Sequence, residues 1–276
     1  MQNKFVLAAA SVFVLAPAQA AFFIDFRNGV WDHSAIGGPS SSNGWAVNPS
    51  TNRGYASGTA EIDTGVFLTV SSTFIGTAQP GTSNFKLDPV NTPGFAFQNR
   101  GTGDRNTTID PVTGRILLEN YQKITFTFSA PVIMDFLQLA DIDTATSSGS
   151  QTWRDAVGVE YWNGSAPTDP GSGINAEITH LGSRLVSAQS ARGLNYAWAN
   201  TLGNTTTSNP ASATDASSVT FSSSGEAIDG FSVYFWNRGT AANGGQHGIV
   251  LQAQGNRLQL APVPEPTSLA LVALST

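Results

Sequence analysis

From residue 22 to residue 254 the chain consists of short runs in which β-branched or aromatic residues alternate with small polar ones, and Gly, Pro, Asn or Ser closes nearly every run. A repeat of two places alternate side chains on opposite faces of an extended backbone, whereas an amphipathic helix needs a repeat near 3.6, which is nearly absent. In Gln122–Phe128, Ile124, Phe126 and Phe128 fall on one face and Thr125 and Thr127 on the other. Ala130-Pro131 ends that run, and a new one spans Val132–Ile142. Phe22–Phe26, Thr59–Asp63, Val66–Phe74, Ala156–Trp162, Val219–Ser222, Gly230–Trp236 and Gly248–Gln254 read the same way. Thr64-Gly65 and Asn163-Gly164 supply turns, and Glu177–Leu181 with Arg184–Ser187 reads as a hairpin. About ten strands without intervening helices predict an all-β fold, a two-sheet antiparallel β-sandwich of jelly-roll type. No repeat of solenoid or propeller length interrupts it, so residues 21–259 read as one domain.

Composition narrows the class. With 16 Phe and 6 Trp the chain has a core to build, which argues against disorder. No cysteine is present, which removes thiol nucleophiles, Cys-ligated zinc and disulfides, and roughly 240 residues bury enough apolar surface without them. The net charge is −6 with 13 scattered basic residues, so neither nucleic acid nor an anionic membrane surface is an expected partner. Only 12% of residues are charged, while Gly, Ser, Thr and Asn abound, as in many extracellular β-proteins.

Both ends read as addresses. In residues 1–20, Lys4 gives a positive start, Phe5–Pro17 an apolar stretch too short to anchor, and Ala18-Gln19-Ala20 a small-x-small triplet. Signal peptidase is expected to cut between Ala20 and Ala21. In residues 260–276, Val263-Pro264-Glu265-Pro266 precedes an apolar run, Leu269–Leu274. Two prolines remove backbone donors and hold the tetrapeptide extended. This tail resembles the PEP-CTERM sorting signal of exported bacterial proteins, whose arginine cluster has no counterpart before Thr276. Either the sequence stops short of that cluster or the signal has decayed. The resemblance implies processing by an exosortase-type membrane transpeptidase, transient membrane association of the apolar tail, and a soluble body released to the cell surface or extracellular matrix. A weaker second resemblance covers roughly residues 115–165. The pattern Ile124-x-Phe126-x-Phe128-Ser129-x-Pro131-Val132, then Asp141-Ile142-Asp143 and Asp155, is similar to one in secreted bacterial β-sandwiches and carries no activity by itself.

Three constellations could carry chemistry. Asp141 and Asp143 stand two apart at a strand end, with Asp155 opening the next strand. Carboxylates sharing one face suit a hard cation, so a structural Ca²⁺ is one reading, and strand-terminating Asx turns are the other. Aromatics suit sugar binding, because flat rings stack on the C–H faces of saccharides. Tyr234 and Trp236 share a face with Ser232, and Trp198 sits in a polar segment, so these three are the candidate ligand-binding residues for an extracellular polysaccharide. Core packing is the competing reading. His33, His180 and His247 lack metal-ligand spacing, and His180 and His247 read as exposed polar residues. Gly101–Gly114 reads as a long surface turn or a ligand-contact loop.

The leading expectation is a secreted or surface-associated, non-enzymatic β-sandwich of the bacterial matrix, structural or carbohydrate-binding. The competing one is a polysaccharide-degrading enzyme, a glycoside hydrolase or lyase, on the same scaffold. It would use a pair of acids such as Glu160 with Asp143 or Asp155.

Overall fold

The structure, a computed structural model, describes residues 22–24, 57–63, 65–87, 95–100, 103–147, 150–200, 215–239, 246–251 and 258–263. Ala20, Ala21, Trp31, Trp45, Pro264, Glu265 and Pro266 lie outside these residues. The elements are β1 (Phe22–Ile24), β2 (Ser57–Asp63), β3 (Val66–Ile75), β4 (Pro80–Leu87), β5 (Phe95–Arg100), β6 (Tyr121–Ala140), β7 (Thr144–Ser147) and β8 (Ser150–Trp162). They continue as β9 (Ile174–Asn175), β10 (Glu177–Leu181), β11 (Leu185–Gln189), β12 (Asn195–Ala199), β13 (Val219–Ser222), β14 (Ala227–Asn237), β15 (Gln246–Leu251) and β16 (Leu258–Pro262). The fold is all-β. Among the described residues no α-helix occurs, only a three-residue 3-10 turn at Asp215–Ser217.

The strands join into one nearly closed, 16-stranded antiparallel system whose longest path runs β11-β12-β8-β14-β6-β15-β5-β4. The 20-residue β6 is its spine. One edge of β6 takes β14 and then β13; the other takes β3, then β16, then β15. The sequence pattern breaks this strand at Pro131, but the chain passes straight through. Pro131 falls in a gap in the ladders: β3 pairs as far as Phe128, and pairing resumes at Val132 with Ile228 and Pro262. The missing N–H is therefore not needed.

Two other expectations change. Glu177–Leu181 and Leu185–Gln189 do not pair with one another: β10 joins β13 and β11 joins β12. The sheet also takes in Ala261 and Pro262, beyond the expected domain end at 259, because β16 pairs with β6 and with β1.

The alternation in β8, β14 and β6 separates two apolar clusters. Val157, Val159, Phe231, Val233, Phe235, Ile124, Phe126 and Phe128 point to the main core. There they meet Leu137 and Leu139 of β6, Phe221 of β13, Ile249 of β15 and Leu260 of β16. Phe126 and Phe231 stack with centroids 4.4 Å apart. Ala156, Tyr196, Tyr234 and Trp236 face the opposite way and form a second cluster with Ile116, Leu118, Tyr121 and Leu194.

Candidate functional site

The second cluster exists because the segment before β6 folds back over the sheet. Residues 104–120 form a strap. Asp110 caps its turn, accepting from the Val112 N–H at 2.9 Å and from the Thr113 hydroxyl at 3.0 Å. Leu117 N–H donates to Thr108 across the strap at 2.9 Å, and Ala191 N–H donates to Ile116 at 2.8 Å, tying the strap to the β11–β12 hairpin. Asn106 closes its neck: Oδ1 accepts from the Glu119 and Asn120 N–H groups at 2.8 and 2.9 Å. Ile116 and Leu118 therefore cover the outer aromatic face. These covering residues follow the Gly101–Gly114 stretch, in which Val112 is 90% exposed.

That cover decides where the three aromatic candidates lie. Tyr234 and Trp236 are fully buried and offer no open stacking surface. Trp236 meets Tyr196 edge-on at 5.0 Å, and Tyr234 meets Tyr121 at 5.5 Å. Trp198, on β12, stays partly accessible at the end of the same face. Two guanidinium groups lie against its ring: Arg238 with Cζ 4.2 Å from the centroid and Arg154 with Cζ 5.2 Å away. Arg238 also stands 5.6 Å from the Tyr196 centroid.

Asn237 holds the Arg154 backbone, which in turn holds that of Arg238. Its Oδ1 accepts from Arg154 N–H at 3.0 Å and from Gly239 N–H at 2.6 Å, and Arg238 N–H donates to the Arg154 carbonyl at 2.8 Å. Burial lowers the Arg154 pKa from its ordinary value, and the neighbouring Arg238 charge lowers it further. Sequence reading missed this pair, since Arg154 and Arg238 are far apart in the chain and come together only through the β8–β14 ladder, where Asp155 faces Asn237.

The acids are arranged differently from expectation. His247, expected at the surface, is buried between two carboxylates: Nδ1 lies 2.6 Å from Asp155 Oδ1 and Nε2 lies 2.8 Å from Asp104 Oδ2. Burial alone would lower its pKa, but the two carboxylates outweigh that and push it up to about 10, while burial pushes the Asp155 carboxyl well above its ordinary range. Asp155 Oδ2 accepts in addition from Asp143 N–H at 3.1 Å. Trp153 Nε1 donates to Asp143 Oδ1 at 3.4 Å. Asp141 and Asp143 do come together. Asp141 has a left-handed φ of 60°, and burial followed by repulsion from Asp143 pushes its pKa up to about 7. Asp155 faces His247, and among the described residues no three His, Asp or Glu side chains are grouped to hold a metal ion.

Glu160 meets neither Asp143 nor Asp155 as a partner. Its carboxylate accepts from the Tyr234 hydroxyl and from Gly171 and Gly173 N–H at 2.9 and 3.0 Å. It fastens the loop after β8 to the sheet. Burial raises its pKa, opposed by those donors and by the Lys123 charge.

Family models, curated proteins and solved structures give no match to this chain.

Proposed function

We propose that this chain is an exported, non-enzymatic β-protein of the bacterial cell surface or extracellular matrix that holds carbohydrate at the Trp198 end of its outer face. The carrying observation is that Trp198, alone of the three aromatic candidates, keeps accessible surface and is flanked by directional cationic donors. Export is supported by the leader over residues 1–20 and the Val263–Pro266 motif, with signal peptidase and an exosortase-type enzyme as processing partners. The scaffold we infer is a two-sheet sandwich. Its support is the course of β6, which changes neighbours along its length, and the continuous core between strands on either side.

Binding rather than hydrolysis is favoured by the use made of the acids. Asp104, Asp155 and Glu160 are buried and spend their oxygens on partners inside the fold, whereas a glycosidase needs two carboxyls facing one cleft. Retention of the purified chain on the producer's own polysaccharide tests the reading. Wild type should be retained and Trp198→Ala should be released. New reducing or unsaturated ends in the polysaccharide would instead support the enzyme.

A further inference from the structure

Between the end of β8 and β9 the chain makes a loop that leaves a hollow beneath it. The cavity measures about 270 Å³, and every residue lining it belongs to the one segment Tyr161–Ile174. Tyr161, Trp162, Pro167 and Ile174 give it an apolar lining, and Asn163 and Ser165 bring polar groups to its exposed side. Trp162 and Tyr161 are buried, whereas Ile174 is 51% exposed and forms the rim. Trp162 lies over Gly230, its partner in the β8–β14 ladder, where an added Cβ would collide with the indole ring.

The loop is held from four sides. Gly164 N–H donates to Asp229 Oδ2 of β14 at 2.6 Å, and Lys123 Nζ of β6 donates to the Pro167 carbonyl. Glu160 of β8 takes the Gly171 and Gly173 N–H groups, and Arg192, in the β11–β12 turn, pairs with Asp169 at 3.0 Å. Little conformational freedom is therefore left to lose when the hollow fills.

The lining narrows the occupant. Among the described residues no charged side chain lines the cavity, so an ionised group would lose water there without gaining a counter-charge. Hydroxyl and amide side chains both donate and accept, which matches sugar hydroxyls, and the apolar residues match a sugar's C–H face. The Asn163 and Ser165 side chains spend no hydrogen bond on the fold among the described residues. The Ser172 hydroxyl already donates to the Asp169 carbonyl at 2.6 Å and is left to accept. The volume falls just below the roughly 300–1,000 Å³ of sites for drug-sized ligands, which suits one ring rather than a chain of them.

We propose that the hollow at Trp162 is a second carbohydrate contact, one that takes a single neutral sugar unit of an extended polysaccharide. This rests on the reading of the chain as carbohydrate-binding and adds a second place to it. Ala156 of β8 pairs with Trp198, and Trp162 stands on the same face of β8 about 20 Å further along. One extended polysaccharide reaches both points, and two weak contacts on one chain hold more tightly than either alone.

The test is titration of the purified full chain with glucose, galactose, mannose and N-acetylglucosamine, followed by backbone amide NMR, with glucuronate as the charged control. At least one neutral sugar should move the Gly164, Gly171 and Gly173 amide signals, with a Kd of about 1–10 mM. Glucuronate should bind at least about tenfold more weakly than that sugar. Ile174→Asp puts a charge on the rim without touching the buried floor and should weaken the neutral sugar by about tenfold or more. Amide signals that no neutral sugar moves, glucuronate that binds as tightly as the best of them, or an Ile174→Asp variant that binds like wild type overturns the proposal. The wild-type titration decides the matter even where Ile174→Asp does not fold. Polysaccharide retention that is lost in Trp198→Ala and unchanged in Ile174→Asp sinks the second contact and leaves the Trp198 reading standing. The reverse pattern keeps the hollow and removes Trp198.

Discussion

Asp141 carries its carboxylate on a left-handed backbone beside Asp143, and both burial and that neighbour act against its charge. Its pKa in the folded chain, about 7, exceeds the unfolded value of 3.8. The folded state thus binds the extra proton, and Asp141's contribution is full below about pH 4 and lost as pH rises toward 7. Asp141→Asn tolerates the same φ and cannot ionise. It is expected to raise the thermal midpoint at about pH 8 and leave it unchanged at about pH 4. The same melts test the calcium reading, because Ca²⁺ that leaves the midpoint where EDTA leaves it dismisses the cation. His247 obeys the same sign at higher pH: its ion pairs act fully below about 6.5 and fade as pH rises through about 10. His247→Ala removes the shared partner of the buried Asp104 and Asp155 carboxyls and should cost about 3–5 kcal/mol in urea unfolding at neutral pH. The Asp141–Asp143 pairing is legible in their spacing of two, whereas the His247 site is not. The partners of His247 are 92 and 143 positions away, so a histidine after two glycines reads as surface.

Elements with a strong local signature were legible, and those decided by distant pairing were not. The β2–β3 hairpin, β13 and the β8 turn follow from alternation and turn residues. The failed hairpin over residues 177–187 follows the same local rule. Its strands separate at Gly182, whose N–H donates to Ser218, while Arg184 N–H donates to Ala216, so both peptides bond to the segment at and before β13. The turn residues of Gly101–Gly114 are legible locally, but the cover formed just after them is not, because Ile116 and Leu118 meet rings on strands far along the chain. Glu160 shows how such loops are held. Replacing it with Gln presents an amide where three donors converge, from Tyr234, Gly171 and Gly173. The expected loss is about 1–3 kcal/mol, with amide exchange at Gly171 and Gly173 accelerated more than in the β14 core.

For the whole molecule the alternation gave the fold class, whereas the end of the folded body was misplaced because Leu258–Pro262 looks like the start of a Pro-rich tail. Leu258 and Leu260 are fully buried. Ending the chain after Val263 should leave the thermal midpoint unchanged. Removing Leu258–Pro262 as well deletes both ladders of β16 and two core leucines, each worth about 2–5 kcal/mol, and should abolish cooperative unfolding. The register Phe22 with Leu260 and Ile24 with Leu258 also means that the first strand to leave a ribosome waits for the last. A polypeptide threaded outward through a membrane would stay unfinished until nearly its whole length had crossed. Only when Leu258–Leu260 arrives beside Phe22–Ile24 would the sheet have its full set of neighbours.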